Sequence, residues 1–239
     1  MEKEAAKKNR FRHEFKYLCT EIQGQILQSR LRGIMKNDPQ ANIDGMYKIR
    51  SLYFDDMHDR CFYENENGVN PREKYRIRIY NGNSDIIHLE CKRKIRGMTQ
   101  KEMCPLTYEQ YHILVNPQTQ MISFAEYPEL MQRLLFLMKT GLMKSKLIVE
   151  YDRRPFIYRD GNVRVTLDSN ISSSSKTGSF LDEKIYGRPI LPVGMQLLEV
   201  KYDTLLPDHI YQILQLDHMP RTAFSKYYLC RKFNNGILS

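Results

Sequence analysis

The sequence contains no tryptophan, and its five cysteines (Cys19, Cys61, Cys91, Cys104 and Cys230) are scattered without a C-x-x-C pair. An odd, dispersed set excludes a disulfide framework and a cysteine zinc cluster. The six histidines (His13, His58, His88, His112, His209 and His218) show no metal-ligand spacing either, and read as structural. Long apolar runs are missing. The longest, RLLFLMKTGLM at 133–143, is short and broken by Lys139, so no membrane span is expected. The opening stretch MEKEAAKKNR is charged and has no apolar leader core, which leads us to expect a reduced, cytoplasmic setting. No Ser/His/Asp or Cys/His constellation for nucleophilic catalysis stands out.

What is present is a chain that can fold and that carries positive charge. Over 239 residues, 41% are hydrophobic, enough to bury a core, and the formal net charge of +9 directs attention to an anionic partner. Alternating patterns predict strands near 10–18, 46–54, 72–80, 85–96, 98–104, 145–158, 162–168 and 195–203. Helices are expected at 21–35, opened by Thr20 and Gln23, from Thr107 with Gln110 three residues on, and near 127–139, 207–216 and 222–233. In the first helix Ile22, Ile26, Leu27, Leu31 and Ile34 fall on one side. Asp55 and Asp56 are expected to cap a helix at 58–66. SSSSKTGS at 172–179 reads as a mobile loop. Short connections such as NGNS (81–84) and IRGMT (95–99) favour antiparallel pairing, and eight such strands suffice for a closed barrel.

The informative feature is which residues share the polar faces of these strands. They are Arg12, Glu14 and Lys16; Lys74, Arg76 and Arg78; Glu90, Lys92 and Lys94; Arg164, Thr166 and Asp168; and Glu199, Lys201 and Asp203. The opposite faces, with Ile77 and Ile79 or Val163, Val165 and Leu167, suit helices packed on an apolar exterior. If the charged face closes on itself, same-strand cations ~7 Å apart repel by about 2 kcal/mol per pair at an effective dielectric near 20. Several such pairs rival the stability of a whole domain, ~5–15 kcal/mol. Glu14, Glu90 and Glu199 offset part of that repulsion, and a polyanionic ligand would offset the rest. Nucleic acid is not expected as the partner. Tyr75 has the wrong parity for Arg76, and no RNP-like motif is present.

RHEFKY (12–17), SLYFDD (51–56), EKYRIRIY (73–80), HLECKRK (88–94), QKE (100–102), VEYDRRPF (149–156), VRVTLD (163–168), LLEVKY (197–202) and FSKY (224–227) occur in that order. Together they resemble the polyphosphate polymerase domain of the vacuolar transporter chaperone (VTC) family. That family lies within the triphosphate tunnel metalloenzyme, or CYTH, superfamily. The likeness spans about residues 10–233 and is similar to the stand-alone bacterial form. It implies an α+β fold, a closed antiparallel eight-stranded β-barrel or tunnel with helices outside. We expect one domain over 1–239, its helix at 222–233 closing or lining the tunnel. It further implies transfer of the terminal phosphoryl group of ATP to inorganic polyphosphate, with Mn²⁺ or Mg²⁺. The partners expected are ATP and triphosphate or polyphosphate, and a separate membrane protein stays open.

Carried over by position, the resemblance gives Arg76, Arg78, Lys92 and Arg153 catalytic roles. Lys16, Lys101, Arg164, Lys201, Ser225 and Lys226 become phosphate-binding residues, and Glu199 the metal ligand. Glu90 reads as an ion-pair partner of the wall cations. The first strand departs from the superfamily's E-x-E-x-K, reading Arg12-x-Glu14-x-Lys16, which weakens a plain triphosphatase reading. Parity leaves Arg154 as an alternative to Arg153, and Ala223 stands where a further basic residue is expected. A tunnel triphosphatase and a non-catalytic polyphosphate-binding module remain the competing functions.

Overall fold

The computed structural model describes residues 11–116, 124–216 and 219–234; His218 and the charged stretch 1–10 lie outside them. Strand β1 (His13–Thr20) runs into helix α1 (Glu21–Arg32), β2 (Lys36–Asn37) and β3 (Tyr47–Asp55). Helix α2 (Arg60–Glu66) precedes β4 (Arg72–Tyr80), β5 (Asn83–Ile95) and β6 (Met98–Leu106). Helices α3 (Tyr108–Val115) and α4 (Glu129–Gly141) follow, then β7 (Lys144–Tyr158), β8 (Val163–Ser174), β9 (Arg188–Pro189) and β10 (Met195–Tyr202). Helices α5 (Asp208–Leu214) and α6 (Lys226–Asn234) end the described chain.

The long strands form one antiparallel sheet in the order β1-β10-β8-β7-β3-β4-β5-β6. It curls until its two edges meet. Beside β1, Arg12 exchanges two backbone hydrogen bonds of 2.9 Å with Thr99 of β6. The result is a curled antiparallel sheet whose edges join at this bridge, where the sequence led us to expect full barrel closure. The β4–β5 and β5–β6 connections are tight because Asn81-Gly82 and Arg96-Gly97 all adopt positive φ, the hairpin geometry that matches strand twist.

Helices cover the convex side. Leu130, Met131, Leu134, Leu135 and Met138 of α4 pack on Leu52, Ile77, Ile79 and Leu89. The capping boxes of Thr20 with Gln23 and Thr107 with Gln110 form as expected. The buried stripe of α1, however, is Gly24, Leu27 and Leu31, and Ile22 is 71% exposed. Gly24 decides this: a Cβ there would lie 2.6 Å from Gln196 Oε1, so the helix sits on the sheet along its glycine side. Asp55 and Asp56 accept from the amides of Cys61, Phe62, His58 and Arg60, which organises the first turn of α2.

Residues 172–179 are a loop only in part, with a short 3-10 turn at Thr177–Leu181. Ser172–Ser174 continue β8, pairing with β7 and β9, and Phe180 just beyond is fully buried. Extended serines fill ladder positions as well as turns, and composition alone cannot separate the two.

Helix α6 takes a different place from the others. Its Tyr227 and Cys230, with Phe224 before it, pack on Tyr47, Ile49, Tyr53, Val149 and Tyr151. Tyr53 and Tyr151 belong to the same face as Arg76 and Arg153, so α6 and the segment before it lie against the concave side.

Candidate functional site

On the concave side the sheet and the Arg221–Tyr227 segment enclose a cavity of about 540 Å³. Pleating sends alternate side chains of β4 (Lys74, Arg76, Arg78), β5 (Lys92, Lys94), β1 (Glu14, Lys16), β10 (Glu199, Lys201) and β7 (Tyr151, Arg153) into it. Among the described residues its lining holds eleven lysines and arginines but two carboxylates, Glu14 and Glu199. Glu90 and Asp168 stand fully buried behind that wall.

Seven of the lining cations, with Lys101 beside them, lean on these four acids. Glu90 takes Arg76 at 2.6 Å, Lys101 at 3.1 Å and Arg78 at 3.6 Å. Glu14 takes Lys92 at 2.8 Å and Lys16 at 2.9 Å. Glu199 accepts from Lys226 at 2.8 Å, Lys201 at 2.9 Å and Arg153 at 3.2 Å. Asp168 is gripped by both forks of Arg153, at 2.6 and 2.7 Å, and by Lys226 at 2.6 Å. Burial works against the charge on Glu90, but Arg78, Arg76 and Lys101 hold its carboxyl well below the ordinary range. Burial likewise opposes the Glu199 charge, and Lys201, Lys226, Lys16 and Arg153 prevail in the same direction.

Carboxylates depressed in this way stabilise the fold at every pH above their unfolded pKa, about 4.3, and withdraw that stability as pH falls through their lower folded values. Unfolding by acid should therefore set in only below about pH 4.5. Urea midpoints measured from pH 7 to 3 test this. A loss through these carboxylates already at pH 6 would mean that Glu90 and Glu199 are not ionised in the fold.

Nine of the eleven residues singled out from sequence line this cavity: Lys16, Arg76, Arg78, Lys92, Arg153, Glu199, Lys201, Ser225 and Lys226. Arg153 faces inward with Tyr151, and Arg154 faces outward to the Asp44 carbonyl; β7 pairs with β3 in unbroken alternation from Val149 to Arg153, and the bulge opposite Tyr151 lies in β8. Lys101 sits on the same wall, half-exposed and paired to Glu90, outside the cavity lining. Arg164 is also outside it. Its guanidinium donates to Asp38 Oδ2 and Tyr47 Oη, both at 2.6 Å.

Sequence reasoning passed over Asp168 as a partner of the wall cations, Arg221, and Lys74 as a site residue. Arg221 stacks 4.0 Å above the Phe15 ring on a segment bridged to β1, a placement with no local sequence signal. The parity signal for Lys74 was there, two residues before Arg76.

A curled antiparallel sheet with helices outside and a cation-lined concave cavity defines the class: a tunnel-type fold with a basic cavity. A solved structure agrees on the fold. A Bacillus halodurans protein proposed to be an adenylate cyclase superposes with a TM-score of 0.51 at 14% identity, covering 87% of this chain and 88% of that one. A conserved hypothetical protein from Pyrococcus furiosus matches at 11% identity and TM-score 0.44, over 87% of this chain and 92% of that one. Comparison with curated proteins by sequence finds no match. The VTC domain family matches residues 11–234, and the chain belongs to that family.

Proposed function

We propose that this chain is a polyphosphate polymerase in which the sheet works as a tunnel, transferring the terminal phosphoryl group of ATP to a polyphosphate chain held inside. The observation that supports this is the charge imbalance of the cavity, eleven cationic side chains against two carboxylates. Polyphosphate carries charge along its whole length, which is the counterion such a wall accepts.

In the reaction the γ-phosphorus forms a bond to the chain-end oxygen while its bond to the β–γ bridging oxygen breaks, and ADP leaves. The acceptor oxygen is already ionised, so alignment and charge neutralisation matter more than a general base. Arg76, Arg78 and Arg153 offer forks that fit phosphate oxygens, and Lys16, Lys92, Lys201 and Lys226 act as point charges. A phosphate oxygen that binds one of the paired cations replaces its carboxylate partner. Lys101 and Arg164 then bind phosphate only by leaving Glu90 and Asp38.

The donor set limits how a metal can be held. Among the described residues no three His, Cys, Asp or Glu side chains converge. Both oxygens of Glu199 already carry cationic partners. An all-protein cage does not fit. Glu199 does fit the mode in which Mg²⁺ or Mn²⁺ stays on phosphates and takes one or two carboxylates from the protein. Bound there, such an ion would add Lewis-acid neutralisation of phosphate charge.

Incubation with ATP and Mn²⁺, reading chain growth on a gel beside free phosphate, tests the reading. Growth supports it, phosphate release without growth assigns a triphosphatase, and saturable binding without either assigns a binding module. Triphosphate at a hundredfold excess over Kd should stabilise the protein by about 2.7 kcal/mol. For a chain of this size that is a rise in Tm of roughly 5–10 °C, shrinking as salt is added. No shift at millimolar triphosphate would overturn the anion site altogether.

A further inference from the structure

Most of the cavity's cations are paired with acids; Lys74 is not. It projects into the cavity from β4 on the face of Arg76 and Arg78. Its ammonium donates to Asn65 Oδ1 at 3.0 Å and Ser225 Oγ at 3.2 Å, and lies 5.5 Å from the centroid of the Tyr227 ring. All three contacts are neutral. Among the described residues no carboxylate pairs with it, whereas Arg76, Arg78, Lys16, Lys92, Arg153, Lys201 and Lys226 each have one.

We propose that Lys74, with the Ser225 hydroxyl, is a phosphate-binding position of this cavity that gains a proton when the polyanion arrives. The inference rests on the anion-site reading above and adds to it a residue and a proton. Its surroundings supply the reason. Across the strand pair Lys92 is its Cα partner, Lys16 approaches from β1, and Arg72 shares its strand. From α2 it meets the Cys61 thiol and Asn65, with Glu64 turned to Arg60. Asp55 of β3 is committed to the Tyr227 hydroxyl and to backbone amides. Burial, reinforced by Arg72, Lys16 and Lys92, pulls the Lys74 ammonium down to about 7. Lys92 is pulled to about 8, chiefly by burial, but keeps Glu14 as its partner.

A phosphate placed against Lys74 supplies the counterion that the protein does not. The amine then takes a proton from the buffer acid, BH⁺ becoming B, and holds the phosphate as an ammonium. Ser225 can turn its own hydroxyl proton to the same phosphate once the Lys74 donation is redirected.

Calorimetric titration of the full chain with inorganic triphosphate, in buffers of differing ionisation enthalpy at about pH 7.5, reads this directly, because the slope counts protons exchanged. Wild type should take up more protons per site than Lys74→Arg, whose guanidinium cannot be deprotonated and which should keep its affinity. Lys74→Met should lose that uptake and weaken binding roughly tenfold. Equal proton uptake in wild type and Lys74→Arg, or unchanged affinity in Lys74→Met, overturns the proposal even though triphosphate binds. Wild type that binds no triphosphate overturns the anion-site reading itself. A Tm near wild type for Lys74→Arg guards against a folding defect.

Discussion

Replacing Glu199 by Gln is expected to lower the Tm of the free protein by on the order of 10 °C, and saturating triphosphate is expected to close most of that gap. Glu199 is 4% exposed and meets Lys226, Lys201 and Arg153 directly, with Lys16 at 3.9 Å. Asp168 still serves Lys226 and Arg153 in the variant, but Lys201 loses the carboxylate it contacts. Removing one partner of a buried pair costs about 3–5 kcal/mol because the stranded charge stays buried. Phosphate returns the missing negative charge. The same variant also tests the metal role under the proposed function. If Glu199 receives the ion carried on phosphates, chain growth from ATP should fall by orders of magnitude while triphosphate affinity holds or rises. If it serves only as counter-charge, turnover should survive in the folded fraction. Thermal scans with and without triphosphate, beside the ATP assay, separate the two. A variant as stable as wild type in the free state would sink the electrostatic account.

Arg78→Ala should give the opposite signature. Arg78 is 5% exposed, donates to Ser51 Oγ at 3.1 Å and Tyr151 Oη at 3.3 Å, and stands 3.6 Å from Glu90. Glu90 keeps Arg76 and Lys101 when Arg78 is gone, so no acid is stranded. A cation in a crowded positive wall is lost, and the free protein should unfold near the wild-type temperature. Triphosphate, by contrast, loses a charge-assisted fork of roughly 1.5–3 kcal/mol. That is a rise in Kd of about ten- to a hundredfold. Matched titrations of Arg78→Ala and Glu199→Gln check the assignment, and identical behaviour of the two variants would remove it.

The contrast between these variants depends on pairings that no stretch of sequence displays. Alternation in EKYRIRIY and HLECKRK told which side chains share a face, because a strand repeats every two residues and nothing else is needed. Thr20 with Gln23 and Thr107 with Gln110 told where two helices start, since a capping box is closed within four residues. Ordered motifs carried the family. All of this is local information, or a pattern of local pieces.

Where a signal needed a distant partner, the sequence was silent or misleading. Arg164 has the right parity for the cavity, yet Asp38 and Tyr47, more than a hundred residues away, hold its guanidinium outside the lining. Ile22 looked like part of the buried stripe of α1, and a single close approach of Gly24 to Gln196 turned it to solvent. Arg153 and Arg154 could not be told apart until β7 was seen to alternate without a break from Val149 to Arg153. The sequence by itself determined that one face of a sheet would be crowded with positive charge. Curling of that sheet decided which cation meets which acid, and left Lys74 among the described residues without one. The physical reason is range: strand parity is fixed by neighbouring residues, whereas the balance of buried charge depends on residues that only the tertiary fold brings within 4 Å.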